Sequence, residues 1–146
     1  MRKMLFILIL TCTLLTSCEY IPQYKFTTDI PDSLLEARYG LFYENSLTDL
    51  YIDLNLDSNG AFSCLAAGDK YTGLIPSKGV YSVSYSSYHV ISASGEIRFT
   101  DTEGSSGTVA AAFVWTASAE NGTESLQLTF SNGTNIILEW LGDANV

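Results

Sequence analysis

Residues 49–67 read DLYIDLNLDSNGAFSCLAA, and this stretch decides the fold. From Asp49 to Leu56 polar and apolar residues alternate, so that Leu50, Ile52, Leu54 and Leu56 fall on one face. A period of two is that of a strand with one side buried and one side wet. Asp57-Ser58-Asn59-Gly60 then interrupts the pattern with residues that tolerate the positive φ of a tight hairpin turn. Ala61 to Ala67 is the returning strand.

The same grammar extends in both directions. Tyr39 onward already alternates; Val109 to Ser118 and Glu124 to Ser131 read as strands joined by Glu120-Asn121-Gly122-Thr123, with Leu126, Leu128 and Phe130 facing inward. Ser131-Asn132-Gly133-Thr134 turns into a last strand, Asn135 to Leu141. Three Asn-Gly dipeptides between alternating runs are strong hairpin signals. In the middle, Gly79–Tyr85, Tyr88–Ala93 and Glu96–Asp101 read as three strands, with Ser92-Ala93-Ser94-Gly95 turning between the last two. Gly104-Ser105-Ser106-Gly107 reads as a loop, and Asp69–Pro76 as either a short strand or an irregular loop. Pro31 to Arg38 is the one expected helical turn. The class is therefore all-β, with eight to ten antiparallel strands. Sequential hairpins favour an up-and-down barrel of about eight strands, which removes the exposed edges. A Greek-key β-sandwich is the alternative; its long crossovers would have to come from residues 68–79 and 101–108.

Charge narrows the partners. The 146 residues hold 7 Lys and Arg against 16 Asp and Glu, a net charge of −9. Nucleic-acid binding needs clustered cations, so no nucleic-acid partner is expected. A polybasic membrane patch is excluded on the same ground.

The N-terminus reads as an address. Residues 1–18 are MRKMLFILILTCTLLTSC: a positive start at Arg2 and Lys3, then an apolar run from Met4 to Thr16. A bilayer span takes about 20 apolar residues, so this run suits the core of a secretory signal. Leu15-Thr16-Ser17-Cys18 resembles the lipobox of bacterial lipoproteins. The resemblance implies cleavage before Cys18, fatty acylation of that residue (palmitate among the acyl groups), and a lipid-anchored protein of the cell envelope, at the outer membrane. The organisation expected is a signal peptide at 1–17, the lipidated Cys18 with a tether through residue 32, and one β domain over 33–146. Without residues 1–17 the five remaining cations face sixteen acids, so the net charge becomes −11. The membrane is then a partner through the lipid and not through the surface. Cys64 is left as the one cysteine beyond Cys18, and it reads as a small buried hydrophobe.

The segments YGLFYEN, LYIDLNLDSNGAFSC, KGVYSVSY, EIRFTD and LQLTFSNGTNIILEW resemble the small lipocalin-like (calycin-type) lipoproteins of Bacteroides-group bacteria. Asp57 to Phe62 and Gly79 to Tyr81 carry the turn-then-aromatic and Gly-x-Tyr features, while Tyr39-Gly40-Leu41-Phe42 stands where a lipocalin has Gly-x-Trp. The resemblance implies a barrel that binds a small apolar or amphipathic ligand. Leu54, Phe62, Tyr81, Val83, Tyr85, Phe99, Phe113 and Phe130 are the residues expected to line the binding site. The alternative is a structural or interaction module that contacts an envelope protein or a glycan through its surface.

Catalysis finds little footing. His89 is the single histidine, and its serine neighbours Ser82, Ser84, Ser86 and Ser87 lack a Gly-x-Ser-x-Gly elbow. A hydrolase would need His89 beside a serine and a carboxylate. The protein reads as a non-enzyme, with no cofactor and no metal implied. Asn55 to Gly60 starts like a calcium loop, but the twelfth position is Ala66 and hairpin chemistry explains every residue. Trp115 and Trp140 read as core. Asn121-Gly122-Thr123 and Asn132-Gly133-Thr134 match a glycosylation acceptor pattern that hairpin chemistry also produces, and Asp32-Ser33-Leu34 resembles an O-glycosylation triplet of Bacteroides-type bacteria.

Overall fold

The structure is a computed structural model that describes residues 30–44, 46–104 and 107–144. The expected signal peptide, Cys18 and most of the expected tether fall on residues 1–29, outside the described residues. The chain forms eight strands: β1 (Ala37–Phe42), β2 (Leu50–Leu56), β3 (Ala61–Ala66), β4 (Lys78–His89), β5 (Ser92–Thr100), β6 (Thr108–Ala117), β7 (Glu124–Phe130) and β8 (Asn135–Gly142). Each pairs antiparallel with the next, and β8 returns to β1, closing an up-and-down barrel. The expected class and topology are present, and the sandwich is not.

Alternation fills the interior. Ile52, Leu54 and Leu56 of β2, Ile97 and Phe99 of β5, Phe113 and Trp115 of β6, Leu126 and Leu128 of β7, and Leu138 of β8 are all buried. They form one core cluster, closed at one end by Leu35. Every strand and ladder partner, and the whole buried core, lie between Leu35 and Gly142. A chain beginning at Glu19 thus carries all the described contacts that close the barrel.

The deciding hairpin is built as its residues dictate. The Asp57 amide donates to the Ala61 carbonyl at 3.0 Å, and the Asp57 and Asn59 side chains both accept from the Ala61 amide, at 3.0 and 3.1 Å. Gly60 sits at φ +84°, a conformation that suits glycine. These side-chain oxygens serve the turn, which accounts for the resemblance to a calcium loop. Asn121 and Asn132 act the same way, accepting from the backbone of Thr123 and Thr134.

Two local expectations are corrected. Pro31 to Glu36 forms two overlapping turns, with Leu34 donating to Pro31 and Glu36 to Ser33 at 3.1 Å each, but Ala37 and Arg38 belong to β1. The ladder to β2 and the bidentate pair of Arg38 with Asp53, at 2.8 and 2.7 Å, win over a third helical residue. In the middle of the chain two long strands stand where three were read. Ser92–Gly95 is inside β5, and the turn is Val90-Ile91, both exposed. Gly95 does not turn the chain. It lies opposite Tyr85, where the β4–β5 register shifts, and a Cβ on it would collide with the Ser84 carbonyl. A glycine within a strand can mark a bulge or a close backbone approach as well as a turn. Asp69–Pro76 is irregular, made of turns.

Candidate functional site

One end of the barrel gathers the tips of the β2–β3, β4–β5 and β6–β7 hairpins, the residues just before β1 and the end of β8. This end is built differently from the rest, and the reason lies in β4. Its ladder with β3 spans three positions only, Lys78 to Val80. Its ladder with β5 runs through nine. The last backbone bond toward the β3 side is the Tyr81 amide to the Gly60 carbonyl, at 2.8 Å. Beyond it, β4 has a neighbour on one side. Consequently no residue of β4 is fully buried, and Tyr81, Val83, Tyr85 and Tyr88 lie half-buried against the core.

The eight residues expected to line a ligand site divide accordingly. Leu54 and Phe99 have 0% of their surface open and Phe113 1%. A chamber wide enough for a ligand would leave such area on its walls. Phe62 packs edge-on against Phe99 with ring centroids 5.1 Å apart, and Phe130 is also buried, at the opposite end of β7. These five fill the barrel. Tyr81, Val83 and Tyr85 share one face of β4, as their spacing implies, and form the lip of its open end. The Tyr85 ring stands edge-on to Phe113 at 5.6 Å, so the lip is anchored in the core. The Tyr81 hydroxyl donates to the Asp57 carbonyl at 2.8 Å. Burial pushes the Tyr81 phenol up to about 12, reinforced by the charges of Glu36 and Asp57. Tyr85 is raised for the same first reason, then by Asp32 and Glu36. Both therefore present neutral hydroxyls.

Beside this lip lies a cavity of about 430 Å³, walled by Ser33, Glu36, Ser58, Glu124, Trp140 and Asp143, with Leu34 and Ala37 beneath. Trp140 was read as core and is 40% exposed. It has inward parity on β8 and pairs with Tyr39 of β1, but the β7–β8 ladder ends one residue earlier, at Glu139 opposite Ser125, so its β7 side is left uncovered. Glu124 is held by the Trp115 indole N–H, which donates to it at 3.2 Å. Inside the same end the Tyr39 hydroxyl is wholly buried, without a hydrogen-bond partner among the described residues. Burial raises its pKa, with Glu124, Tyr85 and Tyr81 adding to the shift through their charges. Residue patterning does not single out Glu36 or Glu124, and it reads Trp140 as core and Tyr39 as the start of an alternating strand, with neither marked as part of a site. They come from four separate segments, and the only hint was that Trp140 falls within two residues of the end of its alternating run.

The remaining candidates are placed apart from this end or carry no constellation. His89 pairs with Ser92 at the exposed hairpin tip. No described hydrogen bond or ion pair joins it to a carboxylate. Cys64 is buried, its thiol pushed up to about 12 by burial and then by Asp53. Among the described residues no group of three or more His, Cys, Asp or Glu is placed to hold a metal ion.

Fold and site together define an eight-stranded up-and-down barrel with a packed centre and one open, tyrosine-lipped end. Comparison with protein-family models, with curated proteins and with solved structures gives no match.

Proposed function

We propose that this chain is a lipid-anchored protein of the cell envelope, without catalytic activity, that binds a small amphipathic ligand at the open end of its barrel. The observation that carries the reading is the incompletely covered inner face of β4. Elsewhere the middle of each strand buries its inward residues, whereas Tyr81, Val83, Tyr85 and Tyr88 stay half-buried and leave part of their apolar surface, with the neutral hydroxyl of Tyr85, open to something outside the fold. Such a mixture of apolar wall and few polar groups is what a small-molecule site requires. The adjoining cavity, of about 430 Å³, is within the range of such sites. The anchor rests on residues 1–18, whose pattern resembles a lipoprotein signal.

Two measurements test the reading. Native mass spectrometry of the protein taken from its own membrane should show a mass increment that Tyr85→Ala reduces. Labelling with an alkynyl palmitate should mark the wild type and leave Cys18→Ala unmarked. An acylated but otherwise bare protein would remove the ligand. The second reading, an interaction module, would then be favoured by a groove of about 570 Å³ on the outer wall, where Ile137 is exposed beside Trp140.

A further inference from the structure

Three Asn-Gly pairs close hairpins of this barrel, Asn59-Gly60, Asn121-Gly122 and Asn132-Gly133, and all three asparagines are exposed. The dipeptide carries a reaction in its own covalent structure. The glycine nitrogen can close a five-membered ring onto the asparagine carboxamide carbon, and glycine has no Cβ to shield that nitrogen. Ring closure puts negative charge on the carboxamide oxygen, Oδ1. Donors already aimed at that oxygen favour the step, as they do in an oxyanion hole.

The three turns differ in those donors. Asn121 Oδ1 accepts twice from Thr123, from its amide at 3.1 Å and from its hydroxyl at 2.7 Å. Asn132 Oδ1 accepts from the Thr134 amide at 2.9 Å, and among the described residues no hydroxyl joins it. Asn59 Oδ1 shares the Ala61 amide with the Asp57 carboxylate, whose charge opposes a second negative charge beside it. The glycine nitrogens do not separate Asn121 from Asn132, because Gly122 donates to the Ser118 carbonyl and Gly133 to the Phe130 carbonyl, both at 3.0 Å. Asn121-Gly122-Thr123 and Asn132-Gly133-Thr134 are also the same tripeptide. Their intrinsic chemistry is therefore equal, and what distinguishes them is the fold.

We infer that Asn121 is a self-modifying site, converted to aspartate or isoaspartate with Thr123 supplying the oxyanion donors. The Gly122 nitrogen attacks Asn121 Cγ and gives its proton to water as the N–Cγ bond forms. The charge on Oδ1 rests on the two Thr123 donors. Collapse breaks the bond from Cγ to the carboxamide nitrogen, which takes a proton from water and leaves as ammonia. Water then opens the ring at either carbonyl. Nothing is oxidised or reduced, and water is the one co-reactant. Thr123 and Glu124 border the outer groove, and Glu124 also borders the open-end cavity, so each converted molecule gains a negative charge there. Isoaspartate also adds a methylene to the backbone of the β6–β7 turn. This inference stands apart from the ligand-binding reading.

The test follows the whole protein in mildly alkaline buffer, folded and in guanidinium. Cleavage after leucine and aromatic residues releases residues 57–62, 116–126 and 131–138 as separate fragments, and the asparagine, aspartate and isoaspartate forms of each are resolved by chromatography with mass detection. In the folded protein Asn121 should be lost about three- to tenfold faster than Asn132 or Asn59. In guanidinium Asn121 and Asn132 should be lost at one rate. Thr123→Val keeps the amide and removes the hydroxyl, and should bring Asn121 down to the rate of Asn132. Thr123→Ser should retain the wild-type rate. Circular dichroism checks that each variant keeps its sheet, and the wild-type comparison decides the matter where a variant does not. A folded-state rate at Asn121 no faster than at Asn132, a difference that persists in guanidinium, or a folded Thr123→Val with the wild-type rate overturns the assignment.

Discussion

Removing one oxygen atom from Tyr39 should make this protein more stable. The side chain has no open surface, and its hydroxyl meets no hydrogen-bond partner among the described residues. Leaving a buried hydroxyl unpaired costs about 1–3 kcal/mol. The void left by Tyr39→Phe is on the order of 10 Å³, and at about 24 cal/mol per Å³ it returns only a few tenths of that gain. A net stabilisation of about 1–2 kcal/mol is expected for the ligand-free chain, or roughly 3–8 °C in Tm for a domain of this size. The same chemical change at Tyr81 should have the opposite sign, because that hydroxyl donates to the Asp57 carbonyl at 2.8 Å. Tyr81→Phe should lose about 0.5–1.5 kcal/mol. Urea unfolding followed by tryptophan fluorescence measures both variants, with an unchanged m-value confirming that the same surface is exposed. If Tyr39→Phe proves less stable than the wild type by 1 kcal/mol or more, the hydroxyl has a partner and the reasoning from its isolation fails.

Alkaline pH should destabilise the barrel more steeply than its size suggests. Cys64 is raised from 9.0 to about 12 and Tyr81 from 10.0 to about 12. The folded chain keeps these protons while the unfolded chain loses them. The stability they contribute is intact below about pH 9 for Cys64 and about pH 10 for Tyr81 and is lost as pH rises toward 12, by up to about 1.4 kcal/mol per pH unit for buried Cys64 and by less for half-exposed Tyr81, whose charge water partly screens. Cys64→Ala should flatten the curve of stability against pH by one proton between pH 9 and 12; an unchanged slope would show that the thiol does not titrate there. Gly95→Ala should cost about 1–3 kcal/mol, since its Cβ meets the Ser84 backbone where β4 and β5 shift register. A loss below about 0.5 kcal/mol in chemical denaturation would place slack at that seam. Arg38 and Asp53 pair through two nitrogen–oxygen contacts but remain partly open to solvent. A double-mutant cycle to alanine should return a coupling of about 0.5–1 kcal/mol that shrinks with salt, and zero coupling would show the pair to be ornamental.

Much of the barrel is legible in the chain because strand alternation and turn chemistry are local. Leu50 to Leu56, the Asp57–Gly60 turn and the hairpins at Asn121-Gly122 and Asn132-Gly133 each follow from residues within ten positions of one another. Sequential hairpins then leave few ways to arrange eight strands, and closure follows from the need to hide the two edges. Ser92–Gly95 shows the limit. A small polar stretch ending in glycine satisfies a turn and a close strand crossing equally well, and only the β4 backbone beside Gly95 tells them apart.

The open end is a different kind of fact. Alternation identifies Tyr81, Val83 and Tyr85 as one face, and Leu54, Phe99 and Phe113 as others of the same kind, without saying which will be covered. Coverage depends on how far neighbouring ladders extend: β3 releases β4 after three positions, and β7 releases β8 before Trp140. Glu36, Glu124 and Asp143 are far apart in the chain and line one cavity only because the barrel closes β8 onto β1. Local patterning thus determined strand, turn and inward face, since these depend on backbone period. The site was decided by register and ladder length, which are properties of pairs of strands and become definite only once the sheet has closed.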